Sequence, residues 1–521
     1  MSMQAMSAVI APSATQRPFV DTQPKAAPAV FLGQAAESFM HTGNSVRGSA
    51  FAAPVSIAAI AAATAIGAGV SRQRGSPIAR PAGRVRSWLR SQRDFSSTAR
   101  RQAPVSTSIG FNKVLSPEDL GWTEEVLSQT PGLREELEIA IERGGMQGKA
   151  LKLSKKWPTK SEVMQAIPKD CFKRVTWKSL VYTASSMLQV AGLGYLAWKY
   201  IPMTMAALPL WLMYAVVQGT FATGLWVIAH ECGHNAFSDR KWLQTLVGYT
   251  LHTSLLVPYF SWQRSHAVHH SRTNHTTEGE THVPRVATVP GKSTSRWETF
   301  QKIVRSKNLA GAIRMIMNPL LGWPAYLATG ASGGPKYGVT NHFWPYWPFN
   351  HGEKDLFPGM YKSKVLQSDL GLIAFVGLLG YWASQVGFAP VLALYFGPLM
   401  ITNSWLVIYT WLQHTDVDVP HWDDDSWNFS RGAFHTIDRP YGRVIDFIHH
   451  RIGSTHVAHH VNSSIPHYKA VKATEALKKQ FPDLYLYDPT PLHRALFRVA
   501  KNCFGVVKTQ GDGMLVYKQR A

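Results

Sequence analysis

Apolar and polar stretches alternate in a way that divides the chain before any residue chemistry is considered. Ser179–Trp198 and Ala206–Ala229 are apolar runs separated by a short turn holding Pro202 and one Lys. Each is long enough to cross a hydrocarbon core of about 30 Å as a helix. A second pair follows at Leu370–Gly387 and Pro390–Gln413, with almost no connecting loop. Both pairs read as tight helical hairpins. Leu243–Phe260 and Ala310–Gly330 are also apolar but carry internal prolines and polar residues. The predicted class is an all-α membrane protein. It has four transmembrane helices in two hairpins, further interfacial or re-entrant helices, and a histidine-rich cytosolic cap.

The flanking regions look different. Residues 1–110 hold 12 Lys and Arg against the acids Asp21, Glu37 and Asp94, and are rich in Ser, Ala and Pro. That is the composition of an organelle targeting leader. Within it, Ala50–Val70 reads either as part of the leader or as one short additional span. Residues 111–170 are polar and mixed in charge. The expected division is a leader over 1–110, a polar segment over 111–170, a membrane domain over 171–490 and a C-terminal tail over 491–521.

Net charge is +22, with 18 Trp and only 17% charged residues. A basic total invites a nucleic-acid reading. Here the cations lie in the leader and in loops beside apolar runs, so a membrane surface is expected and nucleic acid is not. The segment between the two hairpins holds Arg264, Arg272, Arg285, Lys292, Arg296, Lys302, Arg305 and Lys307. The positive-inside rule puts it on the cytosolic or stromal face. Three cysteines provide neither a disulfide framework nor a C-x-x-C zinc site.

The 21 histidines decide the chemistry. His230 and His234 lie in HECGH at the end of the second apolar run, a spacing shared with zinc peptidases. His266, His269 and His270 form HAVHH, and His456, His459 and His460 form HVAHH. Positions i, i+3 and i+4 share one helix face, so each cluster aims its imidazoles together. Eight histidines exceed what one tetrahedral zinc uses. Nitrogen ligands in that number fit two metal ions with a position open for a small molecule such as O₂. The clusters can meet only if Leu243–Phe260 does not cross the membrane. His252 and Pro258 within it favour a re-entrant or interfacial helix.

From Ala166 to about Leu486 the chain resembles the membrane-bound fatty acid desaturases, most closely the acyl-lipid Δ12 (omega-6, oleate) type. HECGH, HAVHH and HVAHH match in order and spacing, and HNAFSD, GETHVP, YTWLQHT, TIDRPYG and IPHYKAVKATEAL are also similar. The resemblance implies two iron ions held by the eight histidines, with His414 as a ninth ligand. It implies no catalytic side chain beyond the metal centre. Glu231, His449, His450, Asp416 and Asp438 are expected to hydrogen-bond and orient the ligands. Trp226, Trp405 and Tyr409 are candidate walls of an acyl tunnel.

The implied reaction uses O₂ and a fatty acyl chain of a membrane lipid. No haem motif of the H-P-G-G type occurs, so electrons are expected from a separate carrier: ferredoxin in a plastid membrane, which the leader favours, or cytochrome b5 and its reductase in the endoplasmic reticulum. An omega-3 desaturase, hydroxylase, epoxygenase or acetylenase would use the same boxes. An intramembrane zinc metallopeptidase using HECGH is the alternative from another class. Asn235 stands where plant Δ12 sequences often carry another His.

Overall fold

The computed structural model describes residues 157–286, 306–417, 419–508 and 513–517, with Ser128 and Val304 as isolated positions. The leader over 1–110 and nearly all of the polar segment lie outside the described residues. Those from 157 onward begin with α1 (Lys160–Ala166), closed at its start by a reciprocal capping box between Thr159 and Glu162.

Among the described residues, four helices are long and apolar enough to cross a membrane. They are α2 (Thr176–Tyr200), α3 (Leu208–Gly233, entered through a 3₁₀ turn at Met205–Ala207), α7 (Tyr361–Val386) and α8 (Gly397–His414). A helical turn at Phe388–Val391 and a π-helical stretch at Leu392–Phe396 lead into α8, so that its span runs over Phe388–His414. Large apolar side chains stay exposed on the outer helices: Leu188 on α2, and Leu370 and Ile373 on α7. Such surface is costly in water and free of that cost in lipid. The inner helices α3 and α8 pack closely on each other. Gly219 permits this, because a Cβ there would lie 2.4 Å from the carbonyl oxygen of Pro398.

Leu243–Phe260 is broken, as its proline and polar content predict. α4 (Lys241–Ser254) and α5 (Tyr259–Ser271) are separated by a turn in which Leu256 has φ 53°. At 1.5 Å per residue α4 is about 21 Å long, short of the roughly 30 Å of a hydrocarbon core. α6 (Lys307–Thr329) contains Pro319 and Pro324 and ends at Gly330 in the left-handed conformation. Short helices follow α8: α9 (Phe429–Phe434), α10 (Arg443–Ile448), α11 (His456–Val461) and α12 (His467–Gln480).

One expectation is corrected. The protein is mostly helical but not all-α. A four-stranded sheet in the order β1-β3-β4-β2 joins β1 (Arg285–Val286), β2 (His421–Trp422), β3 (Gly505–Lys508) and β4 (Met514–Tyr517). The stretch 491–521, expected as a C-terminal tail, packs against the membrane helices where it is described. α13 (Leu492–Asn502) buries Ala495, Leu496, Val499 and Ala500 at helical spacing, against α6 and α8. Arg314 of α6 donates to the carbonyls of Ala500 and Cys503 at its C-terminal end.

Candidate metal centre

His230 sits in the last turn of α3, and His234 follows as its C-terminal cap. α5 carries His266, His269 and His270, α8 ends on His414, and α11 carries His456, His459 and His460. The ring nitrogens of these nine histidines converge. In one group, His230, His234, His266, His270 and His459 offer nitrogens all within 4.8 Å of one another. In the other, His269, His414 and His460 do the same. His456 Nε2 lies 3.0 Å from His414 Nε2, which attaches it to the second group. The groups adjoin: the rings of His270 and His460 stack with centroids 4.1 Å apart.

Burial and the neighbouring imidazoles hold His266, His270, His456 and His460 well below the ordinary imidazole pKa, and burial foremost brings His269 and His459 to about 3. These rings are neutral at physiological pH, the form that binds metal. Nε2 atoms face each other at 2.9 Å between His230 and His266 and at 3.2 Å between His269 and His414. His459 Nε2 and His460 Nε2 are buried without a hydrogen-bond partner among the described residues. Buried nitrogens left without a partner are unfavourable unless cations sit among them. The donor set therefore fits one or two nitrogen-preferring transition-metal ions.

Thr273 explains one ring's orientation. Its hydroxyl donates to the His269 carbonyl at 2.8 Å, so its oxygen is left to accept from His460 Nδ1–H at 3.0 Å. That tautomer turns the Nε2 lone pair into the site. Thr273 lies inside SHAVHHSRTNH, three residues past His270, and the histidines alone drew attention there.

The five expected orienting residues do not touch the nine imidazoles as anticipated. Glu231 Oε2 accepts the backbone N–H of His467 at 2.8 Å and lies 3.4 Å from its Nδ1. His449 donates from Nε2 to the Thr220 carbonyl at 2.7 Å and accepts from the Tyr409 hydroxyl at 2.8 Å, on the membrane side of the cluster. His450 bonds Ser186 at 3.1 Å. Asp416 faces cations instead of an imidazole: Arg439 at 2.6 Å, and both Nε and Nη2 of Arg498. Asp438 accepts the Val457 N–H at 2.8 Å and the Tyr485 hydroxyl. It thus holds the start of α11 by its backbone. Three of these side chains act on the segments that carry the ligands: Glu231, Asp416 and Asp438. His467, like Thr273, has a place here that the sequence does not point to. Of the candidate walls, Trp226 stacks on His230 at 5.4 Å, while Trp405 and Tyr409 enclose His449.

A fatty acid desaturase family model matches residues 209–490, which takes in every one of these histidines. The chain belongs to the fatty acid desaturase family. It is 40% identical over 370 residues to a Delta(12)-acyl-lipid-desaturase of Punica granatum, covering 69% of this chain and 90% of the relative. A Delta(12)-fatty-acid desaturase of Arabidopsis thaliana is 41% identical over 362 residues, covering 68% and 90%. One from Mortierella isabellina is 36% identical over 379 residues, covering 68% and 89%. The desaturase is an integral membrane oxidoreductase acting on fatty acids. In this setting HECGH is one part of a nine-histidine constellation and not a peptidase motif. Asn235, the departure beside it, has φ 59° and accepts from Gln244 at 2.6 Å. Asn tolerates that left-handed turn better than most residues.

Proposed function

We propose that this enzyme is an O₂-dependent Δ12 desaturase that converts an oleoyl chain of a membrane lipid to linoleoyl at a di-iron centre. The observation that carries the reading is the convergence of nine imidazoles, six of them buried, from α3, α5, α8 and α11 into two adjoining groups. The relatives, all named as Δ12 enzymes, support the position of the new double bond.

His230, His234, His266, His270 and His459 would hold one iron, and His269, His414, His456 and His460 the other. Bound iron with O₂ supplies the oxidant for taking two hydrogens from adjacent methylenes, which no side-chain acid or base achieves on an unactivated C–H bond. The protein's own residues do the rest. Thr273 holds the His460 tautomer, Asp438 anchors α11, and Trp226 and Trp262 pack against the His230 ring and keep water from it. A fixed scaffold of this kind lets one pair of carbons reach the site in register.

The four spans form two hairpins in this reading, with all histidines on the cytosolic or stromal face. Electrons arrive from a separate carrier, ferredoxin in a plastid membrane or cytochrome b5 in the endoplasmic reticulum. The basic, Ser- and Ala-rich residues 1–110 favour the plastid.

The test is expression of the full chain in yeast, with and without a co-expressed ferredoxin and its reductase, followed by gas chromatography–mass spectrometry of total fatty acids. Linoleate, absent from a His456→Ala variant, is the expected product. An omega-3 or hydroxylated product would overturn the Δ12 assignment. Zinc without iron in the purified protein would overturn the centre itself.

A further inference from the structure

α10 (Arg443–Ile448) is too short to span anything, yet its end is inserted between three membrane helices. His449 bonds Thr220 of α3 and Tyr409 of α8, and His450 bonds Ser186 of α2. The fit is close: a Cβ on Gly224 of α3 would lie 2.5 Å from the carbonyl oxygen of Ile448. The opposite side of the same helix is bare. Val444 is 68% exposed and Phe447 54%, and at i, i+3 they share one face. Arg443 beside them is exposed too.

The level of this contact can be read from the helices it touches. α3 has 26 residues, about 39 Å at 1.5 Å each, against a hydrocarbon core of about 30 Å. Measured from Leu208, the core ends near residue 227, so Thr220 and Gly224 lie roughly 5–10 Å below its edge. Measured from Tyr200 along α2, Ser186 lies at about the same depth. One turn further in, Val216 and Val217 of α3 are exposed apolar residues, and Leu188 of α2 is 73% exposed. The bare face of α10 therefore continues a surface that meets lipid tails.

We infer that α10 is an interfacial helix seated in the acyl boundary of the leaflet that bears the histidine site, with Val444 and Phe447 in lipid and Arg443 towards the phosphates. The partner is the bilayer lipid. Apolar faces of such helices sit roughly 5–10 Å into the headgroup and acyl boundary. The chain leaves α10 through His449 and His450 and reaches His456 a few residues later. The third histidine box is thereby tied to the membrane surface as well as to α3 and α8. This inference rests on α2, α3 and α8 spanning the bilayer as proposed.

All three native cysteines are buried, so a single introduced cysteine can be labelled selectively. The experiment places a nitroxide at Val444→Cys or Phe447→Cys in the full chain in phosphatidylcholine vesicles, and compares collision with O₂ and with a water-soluble nickel chelate. Leu188→Cys on α2 reports lipid, and Lys479→Cys on α12, which is exposed, reports water. The expected result is an O₂-to-nickel ratio at 444 and 447 several-fold above that at 479 and approaching that at 188. A water-like ratio at 444 and 447 with a lipid-like ratio at 188 overturns the seating of α10 and leaves the spanning helices intact. A water-like ratio at 188 as well overturns both.

Discussion

The carboxylate of Glu231 accepts the backbone N–H of His467 at 2.8 Å, joining the first histidine box to the start of α12 across 236 residues of chain. Both residues are buried. The bond needs an acceptor oxygen, not a charge. Glu231→Gln keeps that oxygen and is expected to retain most of the desaturase activity and metal. Glu231→Ala leaves a buried N–H unpaired, a cost of about 1–3 kcal/mol, and is expected to lose both. Product yield and metal content of the two variants check this, and an inactive but stable, metal-loaded Glu231→Gln would give Glu231 a chemical role instead.

His414 closes the second group, with Nε2 3.2 Å from His269 and 3.0 Å from His456. Its substitution by Ala is expected to abolish desaturation and to lower iron by about half, because the first group keeps its own ligands. His282 stacks over the same ring at 6.1 Å but belongs to neither group. His282→Ala is expected to keep its metal. Iron measured by mass spectrometry on both purified variants decides between the two roles.

A group of four charges, three of them buried, sits behind His414. Asp416 and Asp488 face Arg439 and Arg498, and Arg439 also donates to the Leu412 carbonyl in the last turn of α8 at 3.0 Å. Two positive and two negative charges balance. Asp416→Asn leaves a cation short of a partner, and breaking a buried pair costs about 3–5 kcal/mol. A lowered midpoint in thermal unfolding in detergent is expected, with metal lost in parallel. Arg498 is less buried than Arg439, so Arg498→Met should cost less than Arg439→Met.

Glu278 carries a pH dependence of known sign. Hydrogen bonds from Lys354 and Lys336, aided by Arg272, draw its carboxyl from the ordinary 4.5 down to about 2. The folded pKa is the lower one, so the unfolded chain binds the proton more readily. The stabilisation is complete above about pH 4.5 and is lost as the pH falls towards 2. The stability gap between the native protein and Glu278→Gln is expected to be constant from neutral pH to the region above 4.5 and to narrow below it. Thermal unfolding across that range measures it, and a gap unchanged by acid would remove the ion pairs as its source.

Hydropathy alone determined the four spanning helices, because length and apolar content are local properties that lipid reads directly. The eight box histidines were legible for a similar reason: i, i+3 and i+4 spacing places their rings on one face of any helix. His414 needed the resemblance, since a single histidine has no spacing to read. The tertiary structure decided the partners. Glu231, Asp416 and Asp438 stand beside ligands in sequence, yet their carboxylates turn to His467, to Arg439 and Arg498, and to Val457. A buried carboxylate takes whichever donor the fold brings within reach, and these donors come from α11, α12 and α13 or from the loop after α9. The same holds for α10, whose six residues show no spanning pattern and acquire a place in the membrane only through the three helices that grip its end.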